Sequence, residues 1–215
     1  LEKIQPAPDY VVTPHPTYNA FRFEGMSREQ AREQLCIGPE EKIMLFFGYV
    51  REYKGLKYLL NAMPQICGED DQIRLWVVGE FGSDKEEYRE LIRELELTDK
   101  VRVQDSYTPD REVEKYFAAA DLVVLPYISA TQSGIVQIAY GFTKPVVVTE
   151  VGGLPDVVED GSTGYIVEPG NSGAIAEAVS RFFKENQAER MRENIVKEAY
   201  RFSWERMGEV LAKFM

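Results

Sequence analysis

Residues 121–169 read DLVVLPYISATQSGIVQIAYGFTKPVVVTEVGGLPDVVEDGSTGYIVEP. An apolar run, DLVVLP (121–126), leads into a small-residue loop and the helical period of QSGIVQIAYGF (132–142). A second apolar run, PVVVT (145–149), is followed by paired glycines, a short helix predicted over LPDVVED (154–160) and a strand, GYIVEP (164–169). Runs apolar at every position belong to strands covered on both faces. Strands alternating with helices predict a parallel sheet with right-handed crossovers.

The same alternation extends toward the N-terminus. IMLFFG (43–48), IRLWVVG (73–79) and VRVQD (101–105) are predicted strands. Between them, GLKYLLNAMPQI (55–66) places apolar residues at 56, 59, 60, 63 and 66, with Pro64 expected to kink or end the helix. DKEEYRELIRELEL (84–97) opens with acids at its positive end. PDREVEKYFAAA (109–120) is the helix after the third strand. Upstream, SREQAREQLCI starts at a candidate cap, Ser27, and puts Ala31, Leu35 and Cys36 on one face. The segments after residue 169 are helical. Residues 1–24, with Pro6, Pro8, Pro14 and Pro16, are irregular, although YVVT from Tyr10 has the composition of a short edge strand.

The fold class is therefore α/β, a Rossmann-like parallel sheet flanked by helices. The 215 residues suffice for one such domain with short extensions. A net charge of −11 argues against nucleic acid, which needs a basic face. It leaves room for an anionic small ligand held by local cations and helix N-termini. Cys36 and Cys67 are expected to be buried and unpaired, as suits a reducing, cytoplasmic location. One histidine, His15, in Pro-His-Pro, is read as structural rather than catalytic, and no transition-metal site is expected.

Ligands of such sheets sit beyond the carboxyl ends of the strands, where the strand order reverses. The loops there are the candidate site. After the first strand, Arg51 and Lys54 stand between Gly48 and Gly55, a pattern that suits a pyrophosphate and equally a solvated turn. After the second, Glu80 follows Gly79 and is placed to touch a ligand or simply to border a turn. After the third, Tyr107 borders a possible base slot. After the fourth come Thr131, Gln132, Ser133 and Gly134, with Gln137 one turn on. They form an anion site at a helix N-terminus or a plain cap. After the fifth, Glu150 precedes Gly152-Gly153, which suit close approach to a ligand or a structural turn.

These loops, in this order, resemble the C-terminal half of GT-B-fold retaining glycosyltransferases, the group that includes glycogen and sucrose synthases. The segments that carry the resemblance are FFGYVREYKGLKYLLNAM, LWVVGEFG, VRVQDSYTPDREVEKYFAAADLVVLPY and SGIVQIAYGFTKPVVVTEVGGLPDVVEDGSTGYIVEPGN. It implies a nucleoside diphosphate sugar as donor, with no cofactor and no metal. Lys54 matches the family's diphosphate-binding lysine. The usual arginine position is occupied by Tyr49, so Arg51 is the candidate replacement, and both cations are the candidate catalytic groups. The family's two glutamates, eight positions apart, fall on Ala130 and Ile138. Gln132, Ser133 and Gln137 are the candidates to take over their contacts.

The resemblance further implies an interdomain connector at 1–24, a nucleotide-sugar-binding domain at 25–200 and a tail helix at 201–215. An N-terminal acceptor domain, through which any membrane contact would run, is expected to be missing. A non-catalytic nucleotide- or sugar-binding or scaffold relative is the alternative. An epimerase or phosphorylase is disfavoured by the lack of an epimerase-like histidine set and of a lysine placed for a pyridoxal Schiff base.

Overall fold

The computed structural model of the chain describes residues 15–213; the strand read at Tyr10 lies outside them. Six parallel strands form one sheet: β1 (Lys42–Phe47), β2 (Ile73–Val78), β3 (Val101–Gln104), β4 (Leu122–Leu125), β5 (Val146–Thr149) and β6 (Gly164–Val167). Their order is β3-β2-β1-β4-β5-β6, so the winding reverses between β1 and β4. There Met44 pairs with Leu122 and Leu45 with Val123. The Rossmann-like reading holds.

Because successive strand residues point to opposite faces, the sheet divides its apolar residues between two layers. Leu45, Phe47, Trp76, Val78, Val123 and Leu125 face one side. They meet α1 (Arg28–Gln34), α4 (Asp110–Ala119) and α5 (Gly134–Gly141). Phe117 of α4 is fully buried there, 5.0 Å from the Phe47 ring and 5.6 Å from that of Phe142. Met44, Phe46, Leu75, Val77, Leu122 and Val124 face the other side. They meet α2 (Leu56–Glu69), α3 (Lys85–Glu94) and α6 (Ser172–Lys184). The chain then closes with α7 (Ala188–Glu198) and α8 (Trp204–Ala212).

Local signals explain most boundaries. Ser27 and Gln30 form a reciprocal capping box at the start of α1. Asp121, just before β4, accepts the Ile43 N–H and pairs with Arg28 at 2.7 Å, tying α1, β1 and β4 together at the amino end of the sheet. The segment leading into α1 is anchored by Glu114 of α4. Its carboxylate accepts the N–H groups of Phe23, Glu24 and Met26 at 2.8–3.0 Å.

Three expectations are corrected. Pro64 neither ends α2 nor stops its packing. The ring is on the solvent side, while Leu60, Met63 and Ile66 hold the helix against the sheet. Residues 154–160 form turns rather than a helix. Thr163 Oγ1 takes the Glu159 N–H from beyond the segment, and the Asp160 carboxylate reaches forward to accept the Ile166 N–H of β6. Cys36 is exposed rather than buried, because α1 stops at Gln34 and Cys36 turns into the left-handed region at φ 54°. Cys67 is half-buried, and both thiols are free.

Candidate functional site

The loops at the carboxyl ends of the strands build the site. After β1, the strand pairing runs on for three residues: Gly48 N–H donates to Val78 O and Val50 N–H to Glu80 O, both at 2.9 Å. Val50 therefore points inward and Tyr49 outward. A 3-10 turn over Glu52–Lys54 returns the chain to α2. That turn carries the Lys54 side chain back beneath Gly48. A Cβ added to Gly48 would lie 2.9 Å from Lys54 Nζ.

Lys54 is only 9% exposed. Its ammonium lies 5.8 Å from the Tyr127 ring centroid and makes no ion pair among the described residues. Burial alone lowers its pKa below the ordinary 10.5. An unpaired cation taken out of water is costly unless an anion meets it. Lys54 is thus a buried positive charge, at the reversal of strand order, with no counter-charge among the described residues.

Arg51 occupies a different environment. It is exposed, and its guanidinium lies 4.5 Å from the Tyr49 ring centroid. The Tyr49 hydroxyl is pushed up from its ordinary value by hydrogen bonding to Glu80, with smaller contributions from desolvation and the Glu80 charge. Tyr49, Arg51 and Glu80 therefore cluster at the exposed edge of the loops after β1 and β2. The loop after β2 is held by Asp105, which accepts the Phe81 N–H at 3.0 Å and pairs with Lys85.

After β4, Tyr127 is buried, and its hydroxyl lies 3.5 Å from Ser133 Oγ. Desolvation pushes that hydroxyl up to about 12. The Tyr127 carbonyl accepts from Thr149 Oγ1 at 2.5 Å, so this loop is fastened to the end of β5. Ser133 precedes α5 in an extended conformation, and its side chain does not cap the helix. The first-turn N–H groups of α5 are left for another acceptor. Gln137 is buried, and its Oε1 has no partner among the described residues. A buried amide oxygen in that state carries a desolvation cost.

The paired glycines build a structural turn that fastens this loop, one of the two readings their composition allowed, and Gly153 also faces a cavity beside α5. Gly152 sits at φ 52°, and a Cβ there would fall 1.8 Å from the Ala130 carbonyl oxygen. Gly153 N–H donates to the Thr131 carbonyl at 2.7 Å. The Gly-Gly turn thus locks the 130–133 backbone in place. The Thr131 side chain itself is exposed.

A cavity of about 810 Å³ opens beside α5, its lining including Gln132, Ser133, Gly134, Gln137, Gly153, Asp156, Arg201 and Arg206. Lys54, Arg51, Tyr49, Glu80 and Tyr107 do not line it. The predicted site is therefore divided by the first turn of α5. Ser133 and Gly134 face the cavity, while Ile135 Cδ1 lies 3.6 Å from a Cβ added to Gly48, on the Lys54 side. Tyr107 is 69% exposed and Glu150 is exposed; neither is drawn into the Lys54 cluster. Ala130 and Ile138 both pack against the apolar layer of α1, α4 and α5, Ile138 as a buried member.

Sequence reasoning missed Tyr127, whose ring faces Lys54 and whose hydroxyl meets Ser133. Its place directly after the strand run DLVVLP was the available signal. It also missed Arg201 and Arg206, which reach the cavity from the distant C-terminal segment. Among the described residues, no cluster of three or more His, Cys, Asp or Glu could hold a metal, and no helix is long and apolar enough to cross a membrane.

Known proteins resemble this chain in sequence and fold. The sequence profile described as "Glycosyl transferases group 1" matches residues 27–202. A D-inositol 3-phosphate glycosyltransferase of Corynebacterium aurimucosum is 32% identical over 213 residues, covering 95% of this chain and 50% of that protein. Sucrose-phosphate synthase from Thermosynechococcus elongatus superimposes with a TM-score of 0.78 at 25% identity, over 94% of this chain and 51% of that one. Anabaena HepE, solved in complex with UDP, superimposes with a TM-score of 0.75 at 24% identity, over 86% and 52% of the two chains. The chain thus spans about half the length of the curated relatives it matches. A profile match over most of its residues, on a sheet whose order reverses beside a buried unpaired lysine, places this chain in the group 1 glycosyltransferase family.

Proposed function

We propose that this chain is the donor-binding unit of a retaining glycosyltransferase that moves a hexose from a nucleoside diphosphate sugar to an acceptor hydroxyl. The observation that carries the reading is Lys54, a buried ammonium beside Gly48 with no counter-charge among the described residues. In this role it meets the diphosphate. Arg51 approaches from the rim, and the free N–H groups of α5 complete the anion site.

As the bond from the anomeric carbon to the diphosphate oxygen breaks, negative charge grows on the leaving group. Fixed positive charge in a dry site stabilises it without reorganisation. These groups carry that role with no cofactor or metal. Residues 1–24 act as the connector to an acceptor-binding domain, 25–200 hold the donor and 201–215 form the tail. The protein works in the cytoplasm, and any membrane contact is made by the other domain. That a relative of this fold was solved with UDP-glucose supports a sugar nucleotide as the ligand class.

Calorimetric titration of the chain with UDP and with GDP tests the reading. Weak, saturable heat with one of them is expected. No binding of either at about millimolar concentration, some 4 kcal/mol of affinity, would overturn it. The apolar setting of Ile138, where the family places a glutamate, favours a second reading: a relative that binds sugar nucleotide without turning it over. Binding without hydrolysis or transfer in the full-length protein would select that one.

A further inference from the structure

At the amino end of the sheet, opposite the donor loops, a cavity of about 250 Å³ is lined by Arg22, Arg28, Glu114, Phe142, Lys144 and Arg192. Four cations converge there in a chain whose net charge is −11. Lys144 Nζ donates to the carbonyls of Ala118 and Ala120 at 2.9 and 2.8 Å. An ammonium has three donors, so one remains, and no carboxylate pairs with it among the described residues.

Arg22 reaches in from the connector. Its guanidinium lies 5.3 Å from the Phe142 ring centroid, and it too forms no ion pair among the described residues. Arg28 is paired with Asp121 at 2.7 Å and Arg192 with Glu189 at 3.5 Å. Glu114 offers the cations little, because its oxygens are engaged by the N–H groups of Phe23, Glu24 and Met26. The cations feel one another. The Lys144 ammonium is brought down to about 8, first by burial and then by Arg28, Arg192 and Arg22, against the opposing pull of Asp121.

We propose that this cavity binds a phosphate group, as inorganic phosphate or as the monoester of a small molecule. Its chemistry fits. Guanidinium groups present parallel donors that match phosphate oxygens, and a lysine supplies a point charge. The volume is near the lower end of small-molecule pockets, about 300 Å³. A bound phosphate would join residue 22 of the connector to the start of β5 and to α7, stiffening the segment that enters the domain.

The test is calorimetric titration at fixed ionic strength with inorganic phosphate and, separately, with glycerol phosphate. It is done on the chain carrying Lys54→Ala, so that the donor loops do not contribute. Saturable binding is expected, weakened about tenfold or more by Arg22→Ala and by Arg192→Ala, as loss of a charged hydrogen bond requires. Both arginines are exposed, so neither change threatens folding; Lys144→Met would uncap α4 and is not the informative variant. Tighter binding of glycerol phosphate identifies a monoester as the ligand, and equal or weaker binding identifies free phosphate. Binding unchanged in the Arg22→Ala, Arg192→Ala double variant, or abolished by Lys54→Ala alone, would overturn the proposal.

Discussion

Replacing Lys54 by methionine separates its cost to the fold from its use in binding. The two side chains are similar in length, so Lys54→Met removes the charge while keeping most of the packing beneath Gly48 and against Tyr127. In the free chain the ammonium is 9% exposed, and burial alone lowers its pKa, with no charge to offset it. Apolar replacement of buried ionic groups runs from neutral to stabilising by ~1–4 kcal/mol. For a chain of this size each kcal/mol moves Tm by ~2–4 °C. The variant should melt at the wild-type temperature or above it.

Nucleotide affinity should move the other way. A hydrogen bond to a charged group contributes ~1.5–3 kcal/mol, so UDP or GDP should bind about 10- to 150-fold more weakly. The stability gain carries a pH signature. Because the folded-state pKa lies below the unfolded value of 10.5, the unfolded chain holds more protons between those two values. Wild-type stability therefore rises with pH across that window, and the advantage of Lys54→Met shrinks there. Thermal melts at several pH values, paired with calorimetric titration, measure both effects. A variant that melts well below wild type yet binds nucleotide unchanged would show Lys54 to be a packing residue, and the reasoning would fail.

Gly152→Ala should destabilise the chain by ~2–4 kcal/mol, combining a left-handed φ with a Cβ that falls 1.8 Å from the Ala130 carbonyl oxygen. Urea unfolding measures this, and a midpoint equal to wild type would show that the two loops are not locked together. Glu114→Gln should cost ~1–3 kcal/mol at neutral pH, because one amide oxygen replaces a carboxylate that accepts three N–H groups. Burial raises the Glu114 pKa, but those N–H donors outweigh it and leave the folded value below 4.5. The stabilisation is present above pH 4.5 and is lost as pH falls through the folded value. The two proteins should converge in acid, as seen by circular dichroism, and a gap that persists at the lowest pH would contradict this.

The sheet was legible because a parallel strand needs continuous apolar residues. IMLFF, IRLWVV, LVVL and PVVV can be little else when helical periods lie between them. Where local chemistry competed, the reading slipped. LPDVVED has a helical apolar spacing, but Thr163, brought near only by the folded return toward β6, takes the Glu159 N–H, and Asp160 turns to the Ile166 N–H. Pro64 reads as a helix breaker, yet its neighbours Met63 and Ile66 are held by the sheet. The site divided in the same way. The positions of Lys54, Ser133 and Gly134 after their strands were plain from the sequence. That Arg51 would stack on Tyr49 at the rim while Lys54 turned inward was not.

The order of residues by itself determined the class of fold and which loops follow the carboxyl ends of the strands. These follow from periodicity and spacing, which are local. Only the tertiary structure decided that Lys54 is buried without an ion-pair partner among the described residues and that Gly152 braces Ala130. It alone brought Arg22, Arg28, Lys144 and Arg192 to one cavity. Burial and the meeting of distant charges depend on how helices from opposite ends of the chain close over the sheet, and no spacing along the chain records that.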